Sequence, residues 1–72
     1  EGVTLNGALM SKLTRREKEV AEKLASGKRQ SFIANELVIS RRTVYNHVRS
    51  IREKIGAGSA FEAAVKLAIS EK

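Results

Sequence analysis

Residues 38–55 read VISRRTVYNHVRSIREKI. Val38, Ile39 and Ser40 form a short turn, and Ser40 is a residue type whose side-chain oxygen accepts a free N–H at a helix start. Beyond it Val44, Val48, Ile51 and Ile55 recur at helical spacing, and at about 100° per residue they fall on one stripe. Arg42, Asn46, Arg49 and Glu53 gather near the opposite side. The pattern predicts a helix over 41–55 with one buried face and one polar, arginine-bearing face.

Working outward, Thr14 followed three residues later by Glu17 is a capping box, which opens a helix near 15–26. Val20 and Leu24 are its apolar pair, flanked by Ala21 and Ala25, and Gly27 is a natural stop. A second helix is predicted over about 30–37, burying Ile33 and Leu37, with the small Ala34 where two helices must approach closely. Phe32 falls to one side of that stripe. After Gly56-Ala57-Gly58, Ser59 and Glu62 repeat the capping signal and open a helix over about 60–70. Phe61, Val65 and Ala68 form its expected core stripe, with Ala60, Ala63 and Leu67 on another side. Residues 1–12 hold two glycines and no helical period, and read as a linker or N-terminal arm in which Val3, Leu5, Leu9 and Met10 can dock. The expected architecture is all-α: a compact four-helix bundle over 13–72 containing a helix-turn-helix.

The chain has 72 residues and net charge +6, with no cysteine and no proline. A domain this small cannot wall a large catalytic cleft. No paired acids, nucleophile–base set or glycine-rich phosphate loop is present, so an enzyme is not expected. His47 stands alone without cysteines, so neither a metal nor a cofactor is expected. Apolar runs are too short for a membrane span, and a soluble cytoplasmic protein is the default. The charge is concentrated: residues 40–58 hold five basic residues, Arg41, Arg42, Arg49, Arg52 and Lys54, against one acid, Glu53. A basic excess on a single helix points to a polyanionic partner.

A helix with one buried face, delivered by a tight turn and carrying Arg and Asn outward, is what reading of the DNA major groove requires. Arginine's planar fork can donate two hydrogen bonds to guanine O6 and N7, which makes Arg49 the leading base contact. Asn46 can pair with adenine or touch phosphate. Tyr45 can pack on a thymine methyl or deoxyribose, or serve packing at the buried edge. Arg42 and Arg41, at the helix start, can reach base edges or phosphate. Ser40 is first an N-cap, although the free N–H groups beside it also suit phosphate, and Thr43 is a phosphate contact. Lys28, Arg29, Gln30 and Ser31 open the preceding helix over the DNA backbone, and one or two of the four are expected on phosphate.

These residues resemble the LuxR-type (GerE-like) helix-turn-helix family, the C-terminal output domain of many bacterial transcription regulators. LTRREKEV at 13–20, Gly27, Ile33-Ala34, Leu37, Ile39-Ser40, Thr43-Val44, His47, Ile51 and Lys54-Ile55-Gly56 carry the likeness. Tyr45 stands where the family usually has lysine, Phe32 where glutamate is frequent, and Ala60 where arginine is usual. The resemblance implies a DNA-binding domain whose third expected helix enters the major groove and whose last helix dimerises. It implies DNA contact by Arg49, and it places Lys54 near the phosphate backbone unless a nearby glutamate claims it.

On the same grounds the Ala60, Ala63 and Leu67 face is expected to join two copies on an inverted-repeat operator. An upstream receiver, as in a response regulator, or a small-molecule sensor would supply the signal. Two other readings stand beside this one. The fold can serve as a protein-interaction module docking on RNA polymerase or a partner regulator. A basic membrane-surface helix is a third, weakened by caps and buried stripes that need a folded core.

Overall fold

In the computed structural model, residues 5–68 are described. Among them are five helices and no strand: α1 (Gly7–Met10), α2 (Arg15–Ala25), α3 (Gln30–Leu37), α4 (Arg41–Ile55) and α5 (Ala60–Ala68). Val3 and the expected continuation of the last helix to residue 70 lie outside the described residues.

The caps explain where the helices start. Thr14 Oγ1 accepts from the Glu17 N–H at 3.2 Å, and Glu17 Oε1 accepts from the Thr14 N–H at 3.0 Å, closing the expected box. Ser40 Oγ accepts from the Thr43 N–H at 3.0 Å at the start of α4. Ser59 Oγ accepts from the Glu62 N–H at α5, while the Glu62 carboxylate reaches one residue further back, to the Gly58 N–H.

Three helices end in one way. The residue after the last turn is left-handed, and the next N–H reaches back five residues: Lys28 to Lys23 O, Ile39 to Ala34 O, and Ala57 to Arg52 O. This is the Schellman closure, which favours glycine at the left-handed position. Gly27 (φ 89°) and Gly56 (φ 73°) meet that demand, but after α3 the position is Val38, at φ 56°. A β-branched residue there is strained, because Cβ crowds the following carbonyl oxygen. Its side chain is 88% exposed, so packing does not compensate.

The core unites Val20, Ala21 and Leu24 of α2 with Ile33 and Ala34 of α3. Val44, Val48, Ile51 and Ile55 of α4 and Ala63 and Leu67 of α5 join them, together with Met10 and Leu13. Leu37 is partly buried against this cluster. The α4 stripe is as the spacing predicts, and Ala34 sits fully inside where α3 meets its neighbours. The segment 5–12, expected as a linker or arm, carries α1. Asn6 caps it through Oδ1, Met10 and Leu13 are buried, and the Asn6 N–H donates to Leu67 O at 2.8 Å.

The face of α5 requires a correction. Phe61 and Val65, expected in the core, are 79% and 44% exposed. Ala63 and Leu67, expected to be free for a second copy, are fully buried, and Ala60 packs against the core. Small residues on both sides, Ala21 of α2 and Ala63 of α5, allow the close approach that a Phe61 ring between the helices would prevent. Leu67 fills the space that remains.

Candidate nucleic-acid interface

The N-terminal end of α3 and the outer face of α4 form one concave basic surface. Arg29, Gln30, Ser31, Arg41, Arg42, Tyr45, Asn46 and Arg49 line it. The buried stripe of α4 dictates this arrangement: with Val44, Val48 and Ile51 held in the core, residues 42, 45, 46 and 49 must turn outward. Tyr45 is 52% exposed, so it stands open on this surface rather than inside the core. The structure thus brings together all four expected base contacts and four of the eight expected phosphate contacts.

The other four have different surroundings. Ser40 and Thr43 lie at the start of α4 with their hydroxyls 2.9 Å apart. One hydroxyl proton serves that mutual bond, leaving the second to donate outward, so the pair offers one free O–H rather than two. Lys28 Nζ sits 4.9 Å from the centre of the Phe32 ring, a cation–π contact at the edge of the surface.

Lys54 is the fourth. Its ammonium donates to Glu17 Oε1 at 2.7 Å, so its charge is engaged within the fold. The glutamate that competes with phosphate for Lys54 is therefore Glu17, because α4 turns this residue toward the first turn of α2. Ser50 Oγ donates to the other carboxylate oxygen of Glu17 at 2.6 Å. Burial acts most strongly on the Glu17 carboxyl and by itself raises its pKa. The hydrogen bonds from Lys54, Ser50 and the Thr14 N–H, with the Lys54 charge, outweigh burial and bring the pKa to about 2.

Sequence reasoning missed this second role of Glu17, and it missed Arg52. Arg52 donates through Nη2 to Gly58 O at 2.7 Å, and Lys66 donates to Gly56 O at 3.1 Å, so two cations hold the loop between α4 and α5. Arg52 Nε is buried without a partner among the described residues. Arginine within one turn of a Gly-x-Gly loop is a usable signal for such a contact. Nothing local connects Glu17 with Lys54, 37 residues away.

Arg49 is open, with 66% of its side chain exposed, and its Nε lies 3.6 Å from Glu53 Oε2. Lys23 and Glu36, 2.8 Å apart, tie α2 to α3 behind the basic surface. Among the described residues no helix is long and apolar enough to cross a membrane.

Comparison with known proteins agrees with this geometry. The family model described as bacterial regulatory proteins, luxR family, matches residues 11–72. The spore germination protein GerE of Bacillus subtilis (strain 168) is 44% identical over 55 residues, covering 76% of this chain and 74% of that protein. The transcriptional regulatory protein UhpA of Escherichia coli (strain K12) is 44% identical over 55 residues, covering 76% of this chain but only 28% of UhpA. The transcriptional regulatory protein DesR of Bacillus subtilis is 44% identical over 54 residues, covering 75% and 27%. The chain therefore spans most of one relative and just over a quarter of the other two. It belongs to the LuxR family of bacterial regulatory proteins, as a DNA-binding helix-turn-helix domain of transcription regulators.

Proposed function

We propose that this domain recognises a specific double-stranded operator by laying α4 in the major groove. The observation that carries the reading is the single concave surface on which Arg42, Tyr45, Asn46 and Arg49 of α4 stand beside Arg29, Gln30 and Ser31 at the start of α3. In this reading Arg49, Asn46, Tyr45 and Arg42 meet base edges. Arg41, Arg29, Gln30 and Ser31, with one hydroxyl of the Ser40–Thr43 pair and Lys28, meet phosphates. Arg29 supports the phosphate role by position, because it caps α3 without a side-chain bond and leaves the first N–H groups of that helix open.

Two copies pair through α5 on an inverted repeat with half-site centres roughly 10 bp apart. The surface available for pairing is Phe61 with Val65, since Ala63 and Leu67 are enclosed. A patch this small joins copies already held close by the duplex better than free copies in dilute solution. Contact with RNA polymerase and a cytoplasmic location accompany this reading.

Selection of bound sequences from a random duplex pool tests it. The expected product is a defined motif with approximate two-fold symmetry, and Arg49→Ala should lose preference at one base pair per half-site. Recovery of unenriched sequences would refute base reading.

A further inference from the structure

The outer face of α4 carries a single acid, Glu53, one turn beyond Arg49. A carboxylate there opposes the phosphates that the rest of the face attracts. Its contact is informative: Glu53 Oε2 approaches Arg49 at Nε, 3.6 Å away, as an ion pair rather than a hydrogen bond. The guanidinium is planar and rigid. An anion beside Nε takes the edge that Nε shares with one Nη and leaves the outer N–H groups of Nη1 and Nη2 open. Those donors form the edge that bidentate pairing with guanine O6 and N7 can use.

We infer that Glu53 is a specificity-determining positioning residue, which orients the Arg49 guanidinium for a guanine and penalises non-specific contact with phosphate. This rests on the proposed base contact of Arg49. In solution the pair is exposed, at 66% and 70% of the two side chains, and it is weak. Against DNA, water leaves the face and the attraction strengthens. When Arg49 meets a guanine, the pair persists and the carboxylate stays neutralised. When Arg49 swings to a phosphate, the pair breaks and Glu53 is left facing the DNA backbone. Glu53 therefore separates the two binding modes rather than weakening both.

The test compares the domain with Glu53→Gln, Arg49→Ala and the double variant, on the selected operator and on a random duplex at one salt concentration. Both side chains are exposed, so all the variants should fold. Glu53→Gln should bind random duplex more tightly and the operator no better, lowering the specificity ratio by about three- to tenfold, part of the discrimination one bidentate pair supplies. It should flatten preference at the same base pair as Arg49→Ala, and adding it to Arg49→Ala should change that preference no further. An equal gain on both duplexes, with base preference unchanged, would mean that Glu53 is only a repelling surface charge and would overturn the inference. If Arg49→Ala itself leaves base preference intact, the proposed base contact has failed, and this inference falls with it.

Discussion

Acid should weaken this domain chiefly through one carboxylate. Folding lowers the Glu17 pKa from its ordinary 4.5 to about 2. Between those values the unfolded chain binds more protons than the native one, so stability falls as pH falls. The Glu17 contribution is complete above about pH 4.5 and is lost progressively as the pH drops through about 2. The difference corresponds to about 3 kcal/mol at the extreme. Only 7% of the Glu17 side chain is exposed, although its partner Lys54 is 37% exposed, which places the net effect below that figure.

A domain of this length is stabilised by roughly 4–11 kcal/mol in all, so even 2 kcal/mol is a large share. Urea unfolding followed by circular dichroism at pH 7, 4.5, 3 and 2 measures the effect. Glu17→Gln should lose about 2 kcal/mol at pH 7 and show a much shallower decline between pH 4.5 and 2. Parallel pH curves for the two proteins would refute the argument, because the decline would then belong to other groups.

Three further outcomes follow, one from the backbone and two from α5. Val38→Gly removes left-handed strain without losing buried area, while adding some unfolded-state entropy. It should stabilise by about 0.5–1 kcal/mol, a rise of roughly 2–8 °C in the thermal midpoint, and an unchanged or lower midpoint would contradict the strain. Leu67→Lys places a charge in the core and should leave the chain largely unfolded by circular dichroism. Phe61→Lys should melt as the parent does yet lose cooperative occupancy of paired half-sites in footprinting; intact cooperativity would move the pairing surface elsewhere.

The elements that were legible in the sequence are those with a cap, a period and a stop. α2 has Thr14 and Glu17, its apolar pair and Gly27, while α4 has Ser40, four β-branched residues on one stripe and Gly56. The basic candidate surface was legible for the same reason, since fixing the buried stripe of α4 fixes what faces outward. α5 offered two apolar stripes to a reader with no neighbour in view. The bulkier one attracted the core assignment, whereas the stripe of Ala63 and Leu67 is the one enclosed. α1 is a single turn, too short for any period to show, and it takes its place through Met10 and the bond to Leu67 O. Lys54 and Glu17 meet only because α4 lies against the start of α2, a tertiary fact that no local pattern encodes.

The fastening of α4 has a thermodynamic consequence. Ser50 and Lys54 bind its flank to Glu17, and Arg52 holds the following loop, so the half of the helix beyond the reading residues is clamped on two sides. On the proposed reading, the helix that enters the groove is thus already ordered before it meets DNA. The entropy lost on binding is then mainly that of long side chains and not of coupled folding. Since residues 42, 45, 46 and 49 take no part in the clamp or the core, they stand as replaceable type in a rigid frame, and if they read bases as proposed, changing them should alter the operator while the frame stays as it is.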